Sequence, residues 1–77
     1  MPNGINNWTY QNVVDILKEH KFKLNHIRGS HHYFIGHVDG VYRQVCVPYH
    51  GTLSLKPRTM KGIIMQSRIS KSIWMKK

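Results

Sequence analysis

The chain has 77 residues, and its twelve lysines and arginines against three acids give a formal net charge of +9. This length allows one domain with a modest core, and 40% hydrophobic residues are too many for a disordered chain. No run approaches the roughly 18 apolar residues of a membrane span, and the N-terminus lacks the pattern of a secretory signal, so we expect a cytoplasmic protein that does not associate with membranes.

A polar stretch precedes the first predicted helix. Residues 1–8 are predicted to be a flexible lead-in, and Thr9 is suited to the N-cap because its hydroxyl can accept from a free amide of the first turn. An apolar stripe at helical spacing follows, formed by Tyr10, Val13, Val14 and Leu17. This stripe predicts a helix that ends near Lys21.

Three strands are predicted next. Alternation that begins at Phe22 indicates a first strand, with Leu24 and, by extension, His26 on the same face. Gly29-Ser30 is a turn, and residues 31–37 form a second strand rich in aromatic and β-branched side chains.

A hairpin turn and a third strand complete the predicted sheet. Asp39-Gly40 is typical of a tight hairpin, and residues 41–47 follow as the third strand. Val41, Val45 and Val47 share one face of that strand, and Pro48 stops it because proline cannot donate to the ladder. Cys46, between two valines, is predicted to be a small buried core residue.

A second helix is predicted to open at Pro57, a residue suited to the first helical position. Gly62 inside it costs about 1 kcal/mol relative to alanine, so we expect close packing there. Residues 9–70 are predicted to form one domain, followed by a basic tail, residues 71–77, that contains Trp74. Three alternatives remain open for this tail: it docks on the domain, it covers a partner, or it is loose.

The element order is therefore α-β-β-β-α, and the predicted class is α+β. Each helix has one apolar stripe to bury, so we expect both helices on one face of a three-stranded antiparallel sheet. The other face of the sheet is then open to solvent or to a partner.

The charges are distributed unevenly. Asp39 is the last acid, and eight of the basic residues follow it. Such asymmetry is typical of a surface that meets a phosphate backbone, an anionic membrane or an acidic protein, and RNA is the leading interpretation. The predicted RNA contacts are Arg28, Gly29, Ser30, Lys56, Arg58 and Lys61.

Two adjacent histidines follow the Gly29-Ser30 turn. A histidine can take and give a proton near neutral pH, and neighbouring strand residues point to opposite faces. If Phe34 is a core residue, His32 shares its side and His31 faces outward, which makes His31 the candidate general acid or base for RNA cleavage. A shift of one residue would exchange the two, so His32 is an alternate, and a strand histidine can also be merely a half-buried polar residue.

His50 is a second alternate, as a proton-transfer group, a phosphate contact or a residue that holds its own turn. Two-metal chemistry needs several converging carboxylates, and this chain has only Asp15, Glu19 and Asp39. A zinc site would have to use His31, His32, Cys46 and His50, which do not have standard ligand spacing. We therefore expect no metal and no other cofactor.

The chain resembles the HicA toxin family, small bacterial mRNA-cleaving partners of HicB antitoxins. Besides the single residue Phe22, the matching runs are residues 13–18, 29–34, 39–40, 45–51, 55–59 and 63–66. The combination of Gly29-Ser30-His31 with Val47-Pro48-Tyr49-His50-Gly51 is the most specific part.

The resemblance implies a double-stranded-RNA-binding-like fold and a metal-independent endoribonuclease whose catalytic histidine maps to His31. It also implies mRNA and a HicB-like antitoxin as partners, with the chain a monomer or part of an antitoxin-bound hetero-oligomer. Family members often have glycine in place of Arg58 and Ala-Gly in place of Ser67-Arg68. The second substitution removes a glycine suited to a left-handed helix end.

Two other functions remain open from the residues. A non-catalytic RNA-binding module would bind RNA by shape and phosphate contacts and leave it intact. A partner-binding subunit without a nucleic-acid role would have negligible affinity for RNA even at low salt.

Overall fold

Six elements follow one another in the computed structural model, which describes residues 7–75. They are α1 (Tyr10–Glu19), β1 (Lys23–Arg28), β2 (His31–Val38), β3 (Val41–Pro48), α2 (Pro57–Ser67) and α3 (Lys71–Met75). The strands form one antiparallel sheet in the order β1-β2-β3. The predicted α+β class and α-β-β-β-α order are confirmed, with a short third helix in addition.

Local hydrogen bonds set both ends of α1. Thr9 and Asn12 form a capping box, in which each side chain accepts from the backbone amide of the other residue. The predicted N-cap is thus confirmed. The helix ends at Glu19 rather than near Lys21, because Lys21 has a positive φ of 70° and the amide of Phe22 turns back to the Leu17 carbonyl at 2.9 Å.

Both helices bury their apolar stripes against the same face of the sheet. Phe34, Val45 and Val47 lie on that face and share one core with the buried residues of the helices: Val13, Val14, Ile16 and Leu17 of α1, and Met60 and Ile63 of α2. Val41 points the same way but is 47% exposed, because it lies at the hairpin end of β3 beyond the helices.

Two-residue turns fix the register of the sheet. Asp39 and Gly40 both have positive φ, 54° and 78°, as the predicted Asp-Gly hairpin requires. In the first hairpin Arg28 pairs with His31, and Gly29 between them has a φ of 58°. A side chain at Gly29 would meet no neighbour, so glycine is needed there for its backbone conformation rather than for space.

β1 differs from its prediction. It begins at Lys23, and Phe22 precedes the strand as a buried core residue. Leu24 pairs with Phe34, but the next partner, Tyr33, faces His26 instead of Asn25. The extra residue is a β-bulge, which turns His26 to the face opposite Leu24. The predicted alternation of Phe22, Leu24 and His26 on one face is therefore wrong at His26.

Two tryptophans join the ends of the described chain. Trp8 and Trp74 are fully buried, with ring centroids 5.6 Å apart in an edge-to-face arrangement. The Trp8 carbonyl also accepts from the amide of Leu55 at 2.6 Å. Trp8, assigned to the flexible lead-in, instead lies in the core, and the tail docks through Trp74. Residues 1–6 of the lead-in and 76–77 of the tail lie outside the described residues.

Helix α2 ends without glycine. Arg68 takes the left-handed conformation, with a φ of 60°. Ser67 is buried, and its hydroxyl donates to the Ile64 carbonyl at 2.9 Å and accepts from the Ile69 amide at 3.1 Å. These two hydrogen bonds hold the helix end where a glycine would otherwise be expected.

Close packing at a glycine occurs at Gly36, and the expectation of it at Gly62 is wrong. A Cβ at Gly36 would lie 2.8 Å from the ring of Phe22, whereas one at Gly62 would have no neighbour within 4 Å. We predict that Gly36→Ala lowers the free energy of unfolding by about 1–3 kcal/mol through overpacking. Gly62→Ala should raise it by up to about 1 kcal/mol, because alanine favours the helix. Urea unfolding of both variants checks this, and equal effects would contradict the assignment.

Candidate active site at the turn end of the sheet

The two most specific sequence runs meet at one end of the sheet, where β2 begins and β3 ends. His31 pairs with Pro48, and the Tyr49 amide donates to the Ser30 carbonyl at 2.7 Å. The sheet register therefore brings Gly29-Ser30-His31 beside the run that contains His50. Residues distant in sequence thus share one edge of the molecule.

The two adjacent histidines lie on opposite faces. Phe34 is 1% exposed, and His32 is half-buried on the same side of β2. His31 is exposed on the open face, which it shares with Tyr33. This is the orientation predicted for a buried Phe34, so the register that exchanges the histidines does not occur in the structure.

His32 is held by aromatic neighbours. Its Nδ1 atom is hydrogen-bonded to the Tyr10 hydroxyl at 2.8 Å, and its ring stacks on Tyr49 with a centroid distance of 5.2 Å. Tyr10 packs edge-to-face against both rings, and its burial, with Tyr49 nearby, raises the pKa of Tyr10 above its ordinary value. This Tyr10–His32–Tyr49 cluster links α1, β2 and the loop after β3.

Cys46 lies beside the outward histidine, and its prediction as a buried core residue is wrong. Because Val45 and Val47 face the core, Cys46 between them faces the open side, where it is half-buried. Its Sγ atom lies 3.5 Å from Nδ1 of His31. A thiol is therefore one of the polar neighbours of His31 within the sheet.

The structure divides the predicted RNA contacts into groups. Arg28, Gly29 and Ser30 adjoin His31 directly in the first hairpin. His50 and Lys56 line a cleft of ≈ 410 Å³ beneath the end of β3, together with Pro48, and Arg58 is exposed in the first turn of α2. Lys61 lines a different, apolar pocket with Ile64, Met65 and Lys71, away from this group.

Several aromatic residues near the histidines were not predicted as site residues. Tyr10 was assigned only to the apolar stripe of the first helix, and Tyr49 was named only as part of the run that contains His50. Tyr33 stacks on His26 across the first hairpin, at a centroid distance of 4.4 Å. The sequence signal that could have found Tyr33 is its position two residues after His31, which places both on one face.

Within residues 7–75, no three histidine, cysteine or acidic side chains converge where they could hold a metal ion. Over the same part of the chain, no helix has the length and apolar character needed to cross a membrane.

A comparison with protein families gives one informative match. A model described as HicA toxin of bacterial toxin-antitoxin matches residues 10–69, which include both sequence runs of the site. No curated protein and no solved structure gives a significant match to the chain.

The hydrogen bond of Tyr10 can be tested by removing one oxygen atom. We predict that Tyr10→Phe lowers the free energy of unfolding by about 0.5–1.5 kcal/mol at neutral pH, because His32 loses its partner in a half-buried setting. Tyr42→Phe is the control, since Tyr42 is 55% exposed, and its effect should stay within about 0.5 kcal/mol.

The stabilisation by Tyr10 in the parent protein depends on pH, and Tyr10→Phe removes this dependence. Because the pKa of Tyr10 is raised in the folded protein, its contribution to the free energy of unfolding is complete below about pH 10, the pKa in the unfolded chain. This contribution disappears as the pH rises through the raised value. Denaturant unfolding of the parent and of both variants at neutral and alkaline pH measures this contribution. Superimposable curves for Tyr10→Phe and Tyr42→Phe at neutral pH would contradict the prediction.

Proposed function

Since the chain belongs to the HicA toxin family of bacterial toxin–antitoxin systems, we propose that it is a metal-independent endoribonuclease that cleaves mRNA, with His31 as general acid and base. The observation that carries this proposal is the placement of His31 on the open face, beside the run that contains His50. A net charge of +9 supports a polyanionic substrate.

The proposed reaction uses the RNA's own 2′-hydroxyl as nucleophile. His31 takes the proton of that hydroxyl while the 2′ oxygen forms a bond to phosphorus and the bond from phosphorus to the 5′ oxygen breaks. A proton given to the departing 5′ oxygen completes the step, and the products are a 2′,3′-cyclic phosphate and a 5′-hydroxyl. General acid–base assistance of this kind contributes typically ~10²–10⁴-fold to the rate.

The residues around His31 suit the other requirements of this step. The guanidinium of Arg28 and the backbone amides near Gly29 can stabilise charge that develops on the phosphate. Gly29 has open space where a side chain would stand, so RNA can approach its backbone closely. Lys56 and Arg58, with Lys61 farther along α2, are proposed to bind flanking phosphates. His50 is proposed as a second proton-transfer group or as a phosphate contact.

Carboxylates are placed unsuitably for a metal-based mechanism. Asp15 and Glu19 lie on α1, and Asp39 lies in the turn at the far end of β2 from His31. Hard cations need several carboxylate or carbonyl oxygens at one point. Proton transfer by histidine is therefore the chemistry that the side chains near the first hairpin can perform.

We predict that purified protein cleaves RNA in EDTA and that His31→Ala lowers the rate by ~10²-fold or more. His37→Ala is the matched control, because His37 is exposed on the same face of β2, at its other end. Cleavage is followed on a labelled RNA, growth arrest is followed in cells, and circular dichroism verifies the fold.

The outcomes separate the functions left open by the sequence. A folded His31→Ala protein that still cleaves RNA would remove His31 from the catalytic role. Intact RNA after long incubation, combined with steeply salt-dependent binding, would support a non-catalytic module. Loss of the alkaline limb of the pH–rate profile in His50→Ala would identify His50 as the general acid, because that limb reports the deprotonation of the acid. A uniform loss of affinity for RNA would instead identify a phosphate contact.

A HicB-like antitoxin is the proposed inhibitor, through an acidic surface that covers the basic residues or His31. We predict that Lys56→Glu combined with Arg58→Glu slows association with a HicB-like antitoxin by at least about tenfold at low salt. Lys18→Glu is the control, because Lys18 is exposed on α1, the helix that also carries Asp15 and Glu19. Stopped-flow binding measures the rates, and equal slowing by both variants would contradict a specific basic contact surface.

A further inference from the structure

A pair of stacked rings stands on the open face of the sheet beside His31. His26 and Tyr33 lie with their ring planes 11° apart and their centroids at 4.4 Å. His26 is exposed and Tyr33 is half-buried, and both helices pack on the opposite face. The pair therefore presents aromatic surface on the face of the sheet opposite α1 and α2.

The β-bulge in β1 creates this pair. Without the bulge, Asn25 would pair with Tyr33, and His26 would point toward the core side. The bulge places His26 opposite Tyr33, and Asn25 Nδ2 lies 2.9 Å from His26 Nδ1, which orients the imidazole. Bulges often re-aim a side chain next to a functional site.

The pair is one step along the strand from the proposed catalyst. Tyr33 follows His31 by two residues on the same face, a separation of about 6.8 Å along an antiparallel strand. This is close to the spacing of successive phosphates in an extended nucleic acid strand. If His31 acts at the scissile phosphate, the neighbouring base reaches the ring of Tyr33.

The charges of the open face suit a nucleic acid. Lys23 and Arg28 of β1 lie on this face with His31, and none of the three acids of the chain does, since they lie on α1 and in the second hairpin turn. Aromatic rings within a cationic surface are the usual arrangement for binding unpaired bases.

We propose that the His26–Tyr33 pair is a nucleobase-binding subsite, which selects single-stranded RNA by stacking one base next to the cleaved bond. The inference rests on the proposed RNA-cleaving function and adds the class of substrate. Bases within a duplex are stacked on one another and cannot reach this pair, so single-stranded segments are preferred over duplex RNA.

The test measures binding of a short single-stranded RNA by fluorescence anisotropy in the His31→Ala background, where the RNA stays intact. Tyr33→Leu should weaken binding by about 5- to 150-fold, the range for loss of one base–aromatic stack. Tyr33→Phe keeps the ring and should restore most of the affinity. Tyr42→Leu, which removes an exposed aromatic residue at the far end of the same face, should leave binding unchanged.

A second experiment changes the RNA instead of the protein, by means of an abasic nucleotide. The abasic nucleotide is placed at each position of the RNA in turn. At one position it should weaken binding to the parent protein, whereas at that same position it should leave binding to Tyr33→Leu unchanged. Equal affinities of Tyr33→Leu and the parent for single-stranded RNA would overturn the subsite. A loss of affinity for duplex RNA as large as that for single-stranded RNA would overturn it too. A loss of affinity for the antitoxin alone would overturn it as well and would assign the pair to the protein partner.

Cleavage by the protein with His31 intact distinguishes the two proposals. If this protein leaves RNA uncut while binding still depends on Tyr33 and on one base, the nuclease function fails and the subsite stands. If it cuts RNA and Tyr33→Leu binds and cuts as well as the parent, the subsite fails and the nuclease function stands.

Discussion

The burial of Phe34 decides which way every residue of β2 points. Its ring is enclosed between Tyr10 of α1 and the paired Val45 of β3, so a shift of one residue would move this large apolar side chain into water. Such a shift would also exchange the faces of all other side chains of the strand. The two-residue turns at both ends of β2 hold the same register. The outward position of His31 is thus a consequence of core packing.

The two faces of the sheet have different roles because of this constraint. One face receives both helices, and its half-buried polar residue, His32, is satisfied by Tyr10 and Tyr49. The other face carries His31 with exposed and half-buried polar and aromatic side chains. Stability and the proposed chemistry therefore depend on different residues, even where these are adjacent in sequence. This separation makes substitutions on the open face informative about function.

Local patterns were sufficient to predict much of the architecture. The Asp39-Gly40 turn, the Thr9 cap and the spacing of the apolar stripes depend on neighbours within a few residues, and these predictions are confirmed. Features that depend on distant partners were not predicted. The bulge at Asn25 belongs to the pairing of β1 with β2, and the Trp8–Trp74 contact joins residues from opposite ends of the described chain. The roles of His31, His50 and the basic residues stay predictions, since they concern a substrate.

The Trp8–Trp74 contact has a consequence for synthesis. Trp74 is among the last residues described, yet it fills the core next to a residue that precedes the first helix. While the ribosome still holds Trp74 in its exit tunnel, that part of the core stays empty and Trp8 lacks its aromatic partner. A nascent chain thus reaches its complete fold only after residue 74 has emerged. For a toxin, this order of emergence means that residues 7–73 alone lack a buried part of the core of the folded domain.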